Sequence, residues 1–400
     1  MKLPAKSKAY FWIILLFAFI LPFSQFLSVR LLIVILFLPL FLKDTKISIR
    51  YFLAQAWVVL LYLVILFIGL LYTADMKSGF RVMETSFSLL ALPIIFSALP
   101  RLEENDFFRI LLSFIGGLVL ASAICLAQAI ITFYQSGLAT SFLFYQFTDI
   151  LSLQPTYFAY YLCFGISVLL YIIHYKKTNY PSGILIVTSL FLFTILMLTA
   201  GRTAYMAILL VFSFFILKFF FEEGNTRSAT VTFSMSLTLL ICMLMINYFN
   251  INSGTLQSAD NNDYWERITL WQSALNANPD FLFGVGTGDV NMVLNKHFTS
   301  HNLTNYATAN FNSHNQFINT FLSSGILGLI SLLFLLGYPL FKSVKHQNVL
   351  GIMTFFSFFI YGITEVFLGR YQGVVFFAFL SQAFLAYYNT HSSNGSLKEV

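Results

Sequence analysis

Charge is scarce in this sequence. Only 10% of its 400 residues are Asp, Glu, Lys or Arg, against about 25% in a typical soluble domain. Cysteine is nearly absent as well: Cys125, Cys163 and Cys242 are the whole complement. All three lie inside apolar runs without metal-ligand spacing, so neither a disulfide framework nor a zinc site is expected, and they read as small packing residues. Polar–apolar alternation is also missing, which excludes a transmembrane β-barrel. What fills the chain instead is hydrocarbon, with 58% hydrophobic and 18% aromatic residues. Runs of about 20 apolar residues recur from end to end, the signature of membrane helices. The fold class expected is an all-α polytopic membrane protein. The formal charge of +6 then reports membrane topology rather than nucleic-acid binding.

Twelve spans are predicted, at approximately 9–26, 29–43, 52–72, 80–99, 107–134, 154–174, 182–199, 203–221, 229–249, 316–342, 348–366 and 371–388. Residues 1–249 thus carry nine helices, 250–315 form one large extracytoplasmic loop with short amphipathic helices, 316–388 carry three more helices, and 389–400 make a disordered tail. The run Tyr10–Phe26 follows Lys2, Lys6 and Lys8 like a signal peptide. It lacks a small-residue cleavage site and is read as a retained anchor. With both termini cytoplasmic, the outer side receives only Arg30, Lys77, Arg81, Arg202, Arg267, Lys296 and Arg370, which is 7 of the 22 basic residues. The remaining 15 fall inside, as the positive-inside rule requires. The outer cations are mostly arginines near helix ends, and a guanidinium suits bidentate gripping of phosphate better than an ammonium does.

The polar interval from Asn250 to Asn319 holds most of the candidate chemistry. Arg202, in Thr199-Ala200-Gly201-Arg202, sits between two apolar runs; it is either a snorkelling end residue or an anion ligand. Asp263-Tyr264-Trp265-Glu266-Arg267 reads as a helix start with Asp263 as N-cap. Ile268, Trp271 and Leu275 would share the apolar stripe of a helix lying on the membrane surface. Arg267 could pair with Asp263 or bind an anion. Gly284-Val285-Gly286-Thr287-Gly288 lacks the strand and the acidic residue of a dinucleotide fingerprint, and reads as a tight turn needing positive φ. In Ser313-His314-Asn315-Gln316, Ser313 is expected to cap a helix, with Gln316 reaching back to it. His314 would then stand at the first helical position, where the dipole disfavours imidazolium and leaves a proton acceptor. Glu365, Arg370 and Gln372 cluster in the last outer turn, with a Glu365–Arg370 ion pair as the default. Arg81 and Glu84 lie near the start of the fourth span.

In this order, a Gly-Arg between spans, an Arg before an aromatic helix, a Gly-x-Gly turn and a His-Asn that opens a helix running into Gly325-x-x-Gly328 resemble the O-antigen ligase family. Its relatives include O-antigen polymerases and some bacterial protein oligosaccharyltransferases. The resemblance is strongest from Thr199 to Leu329. It implies a cofactor-free, metal-independent, inverting glycosyltransferase on the periplasmic face of the bacterial inner membrane. Such enzymes move a glycan from undecaprenyl diphosphate to an acceptor, which in ligases is lipid A–core. It further implies that His314 is the essential histidine, that Arg202 and Arg267 bind the diphosphate, and that Asn315, Arg370, Glu365 and Arg81 are supporting candidates. A polymerase joining lipid-linked repeats would share these residues. A flippase would need polar or broken helices at the bilayer midplane, whereas the ionisable residues here gather at the outer boundary.

Overall fold

A computed structural model describes residues 5–41, 47–99, 102–199, 263–278 and 280–395, together with scattered positions between 205 and 241. Among the described residues there is no strand. Among them, too, six helices are long and apolar enough to cross a membrane, and shorter apolar helices accompany them. The predicted spans 203–221 and 229–249 lie mostly outside the described residues. The chain divides into two compact units, residues 1–38 with 102–257 and residues 39–101 with 258–400.

The first unit contains α1 (Ala5–Ile20) and α2 (Gln25–Phe37). The predicted first span therefore ends six residues early. Ser24 stops the run by capping α2, its hydroxyl accepting from the Leu27 N–H. At about 1.5 Å per residue neither helix reaches the roughly 30 Å of a hydrocarbon core. In the second unit α3 (Ile49–Leu70) and α4 (Met76–Ser97) follow. The first unit resumes with α5 (Glu104–Ser136), a short α6 (Phe144–Thr148), α7 (Pro155–Tyr175) and α8 (Ser182–Thr199). Here α1 packs on α5 and α7 on α8, and Lys177 Nζ pairs with Glu104 Oε1 at 2.7 Å. Cys125 and Cys163 are buried packing residues, as their apolar settings suggested.

The second unit carries the rest: α9 (Asp263–Asn276), α10 (Val290–Ser300), α11 (Thr304–Thr308), α12 (Gln316–Lys345), α13 (Val349–Thr364) and α14 (Tyr371–Gly395). The last helix runs six residues past Asn389, where the sequence suggested that the tail begins. In the bundle α3 packs on α4 and α12, α12 on α13, and α4 on α14. The polar interval is folded rather than loose. Leu270 and Ala274 of α9, Val290, Leu294 and Phe298 of α10, and Leu322 of α12 form one buried core. That corrects the expected stripe of α9, since Leu275 is exposed and Ile268 and Trp271 flank the buried line. The helix turns its small and aliphatic side toward α10 and α12 because that is where apolar surface can be removed from water.

The glycine turn locks this small core to the bundle. α12 is broken at Ser324 (φ −135°) and Gly325 (φ 60°, ψ −159°), a region that essentially only glycine enters. The break frees backbone groups, and the loop takes them up. Val285 N–H donates to Leu322 O and Gly286 N–H to Ser323 O, both at 2.9 Å, while Ile326 N–H donates to Phe281 O at 2.9 Å. Gly284 (φ 72°) has to be glycine on two counts, since a Cβ there would lie 2.6 Å from both Gly325 N and Leu322 O. Irregular backbone among membrane helices is tolerated only when its polar groups are satisfied in this way. The far side of the turn grips the α3–α4 connection. The Thr287 hydroxyl donates to Leu66 O at 2.6 Å, and the Tyr72 hydroxyl to Phe283 O at 2.6 Å. Buried Asp289 accepts from the Ala74 and Asp75 N–H groups at 2.8 and 2.7 Å. Asp75 in turn caps α4 through Ser78, and those bonds hold its carboxyl below the usual range.

Candidate functional site

The site is organised by the start of α12. His314 does not stand in the helix. Its φ of 44° is left-handed, a conformation uncommon for a residue with a Cβ. Its N–H donates to Asn312 Oδ1 at 2.8 Å, the local side-chain turn that asparagine favours. The next residue, Asn315, is extended and is the true N-cap, its Oδ1 accepting from Phe317 N–H at 2.9 Å and Ile318 N–H at 3.0 Å. Ser313 is therefore not the cap; it is fully buried and its hydroxyl donates to the Asn315 carbonyl. Gln316, now the first helical residue, does not reach back. Its Nε2 donates to Thr320 Oγ1, and its Oε1 accepts from Leu368 N–H at 2.8 Å. A single asparagine supplies two bonds to the orphan amides of the helix start, and the two-residue shift of the cap from Ser313 to Asn315 follows from that.

The Gln316–Leu368 bond ties the start of α12 to the 3₁₀ turn Phe367–Gly369, directly after the end of α13. Two side chains meet at that end. Arg267 Nη1 donates to the carbonyl of Thr364, the last residue of α13, at 2.8 Å. His314 Nδ1 lies 3.3 Å from Glu365 Oε2, with the two side chains 30% and 16% exposed. Arg267 thus stands at the wrong end of its own helix for a cation and at the right end of α13, whose terminal carbonyls carry the negative pole. The structure brings Arg267, His314, Asn315 and Glu365 together. It corrects the expected acid pairing, because Glu365 faces His314 rather than Arg370. Arg370 is exposed at the turn into α14, and Arg81 is exposed on α4, where its charge helps hold the Asp75 carboxyl down. Arg202 and the Asp263 side chain lie outside the described residues.

Two groups take roles other than those the sequence suggested. Gln316 is one. The other is the indole of Trp271, one turn after Arg267 on α9 and so on the same side of the helix. Its Nε1–H is buried and has no hydrogen-bond partner among the described residues. A lone tryptophan in an aromatic-rich chain gives no sequence signal for this. The ring of Phe311 lies 5.7 Å from that of His314. His297 and His301 stack on one another at 4.0 Å on α10, and partial burial with the neighbouring imidazole pushes His297 down. Among the described residues no three His, Cys, Asp or Glu side chains gather as a metal site.

Chemically, the arrangement gathers an imidazole with a carboxylate behind it, an arginine fork and, one turn along α9, an N–H donor without a partner among the described residues. An uncharacterised protein of Haemophilus influenzae is 28% identical over 123 residues, which cover 28% of this chain and 31% of that protein. The chain thus spans less than a third of that relative's length. Residues 187–333, from α8 through the break in α12, match the family model described as O-antigen ligase. That segment holds Arg267, the glycine turn and His314, and over it the chain is similar to the O-antigen ligase family.

Proposed function

We propose that this protein is a membrane glycosyltransferase that transfers a glycan from undecaprenyl diphosphate to a hydroxyl of lipid A–core on the periplasmic face of the inner membrane. The observation that carries the reading is the meeting of Arg267 and His314 at the end of α13. Glu365 accepts the Nδ1–H of His314 and leaves Nε2 bare, facing the acceptor. The acceptor oxygen attacks the anomeric carbon as Nε2 takes its proton, and the bond from that carbon to the phosphate oxygen breaks with inversion. General-base help of this kind contributes about 10²–10⁴-fold. The negative charge that builds on the departing diphosphate meets the guanidinium N–H groups of Arg267 that Thr364 does not use, and the indole N–H of Trp271 one turn along α9. Arg202 retains, on the sequence alone, the diphosphate-binding role that the resemblance implies.

The broken helix is the one feature that the flippase reading also predicts. Here the carbonyls it frees are taken by loop amides 2.9 Å away, so they are not offered to a passing ion, and this favours bond-making chemistry. The test is to incubate purified protein with lipid-linked glycan and lipid A–core, with and without chelator. The expected product is glycan on lipid A–core with release of undecaprenyl diphosphate, and loss of nearly all transfer in His314→Ala with folding retained. A ladder of longer lipid-linked chains would move the acceptor to a second donor. Glycan flux without bond formation, or normal rates in His314→Ala, would overturn the reading.

A further inference from the structure

The second unit holds a cavity that the proposed chemistry does not use. It lies among α3, α4, α12 and α14, walled by Val58, Leu89, Leu335 and Phe377, with Gln55, Ser381 and Gln382 also lining it. The three polar residues are nearly sealed, at 2%, 5% and 2% exposure. Gln55 Oε1, Ser381 Oγ and Gln382 Oε1 are all buried without a hydrogen-bond partner among the described residues. Three unsatisfied oxygens opening on one small space among apolar helices are not an accident of packing, because native interiors pair such groups. Pro339 of α12 lines the same space. A proline has no N–H for the carbonyl four residues back, so Leu335 O is deprived of its helical donor there.

We propose that this cavity binds one ordered water molecule that bridges α3 to α14. Water matches the set of groups. It donates two hydrogen bonds, one to each amide oxygen, and accepts one from the Ser381 hydroxyl. The free space is about that of a single water molecule, and buried waters typically make about three such bonds. A hard cation would demand six or more oxygens, which this lining does not supply. Beside the cavity the helices meet directly: the Tyr338 hydroxyl of α12 donates to Ala54 O at 2.7 Å, and the Trp57 and Tyr338 rings meet edge to face at 5.4 Å. The water is the polar part of this helix junction, at the level of Gln55 near the start of α3 and away from the Arg267–His314 site.

The test uses the full chain in detergent micelles and a thermal-unfolding cycle. Gln55→Leu and Gln382→Leu should each lower Tm by several degrees, since each leaves the water and its remaining partners short of a bond. The double variant should lose clearly less than the sum, because removing both amides removes the need for the water. Additive losses would overturn the proposal. Ser381→Ala, which keeps the packing nearly unchanged, guards against a cycle obscured by misfolding; a Tm equal to or above the parent's would also count against a bound water. A density map fine enough to show solvent should contain one peak within hydrogen-bond distance of all three side chains, and an empty cavity would refute the site. A rise in Tm with sodium chloride but not choline chloride, lost in Gln382→Leu, would make the occupant a cation and overturn the assignment to water.

Discussion

Replacing Glu365 by glutamine isolates the contribution of the carboxylate behind His314. The two atoms that meet are 3.3 Å apart. For full charges at an effective dielectric of about 20, that separation is worth about 5 kcal/mol once the imidazole becomes imidazolium. The pair is not sealed, with 30% of the histidine and 16% of the glutamate side chain exposed, so solvent screening cuts the figure to about 2–3 kcal/mol. The amide keeps shape and volume. It loses the charge, and it can also present an N–H to Nδ1, which would favour the tautomer with its proton on Nε2, the nitrogen proposed to act as base. A loss of about 2–3 kcal/mol in the transition state is about 30- to 150-fold in kcat. The assay is the release of undecaprenyl diphosphate by purified protein, which both ligase and polymerase chemistry produce, so the result does not depend on the acceptor. KM for the lipid-linked donor should stay near the parent value because Glu365 does not touch the donor in this scheme. A variant with kcat within about threefold of the parent would show that the carboxylate neither orients nor stabilises the histidine, and the mechanism would lose its second residue.

Three further outcomes are expected. Trp271→Phe removes a buried, unpartnered N–H while keeping the aromatic bulk, so Tm should be unchanged or higher while KM for the donor rises several-fold; unchanged KM would confine Trp271 to packing. Asn315→Ala deletes the cap of α12, costing about 1 kcal/mol of stability, and should lower kcat by more than that because His314 is held in its left-handed conformation by the same turn; a loss of Tm without loss of kcat would separate the two roles. Asp289→Ala leaves the Ala74 and Asp75 amides without their carboxylate, about 2–3 kcal/mol by loss of charged hydrogen bonds, and should appear as faster proteolysis of the 277–290 connection in native membranes.

The amino-acid sequence determined the class of this protein without help from its fold. Long apolar runs can lead only to helices in a bilayer, because every backbone amide must be satisfied within its own segment. The polar interval, its Arg267 and His314, and the resemblance that the family match supports were legible for the same reason: polar residues are conspicuous in a hydrocarbon chain. The glycine turn was legible as a turn, but its purpose was not. That Gly284 presses on the break at Gly325, and that Val285 and Gly286 take up the freed carbonyls, joins residues about 40 positions apart. Local propensity carries no information about such a partner. The cap assignment failed by two residues because serine and asparagine are about equally good caps; the turn in which Asn312 Oδ1 accepts from the left-handed His314 goes with the cap at Asn315. The Glu365–Arg370 pair was the natural guess for charges five residues apart, yet the end of α13 delivers Glu365 to a histidine 51 residues away. Sequence chooses which groups exist and which helices form. Which groups come together is settled by how helix ends pack, since it is at the end of α13 that Arg267 and His314, distant in the chain, find Thr364 and Glu365.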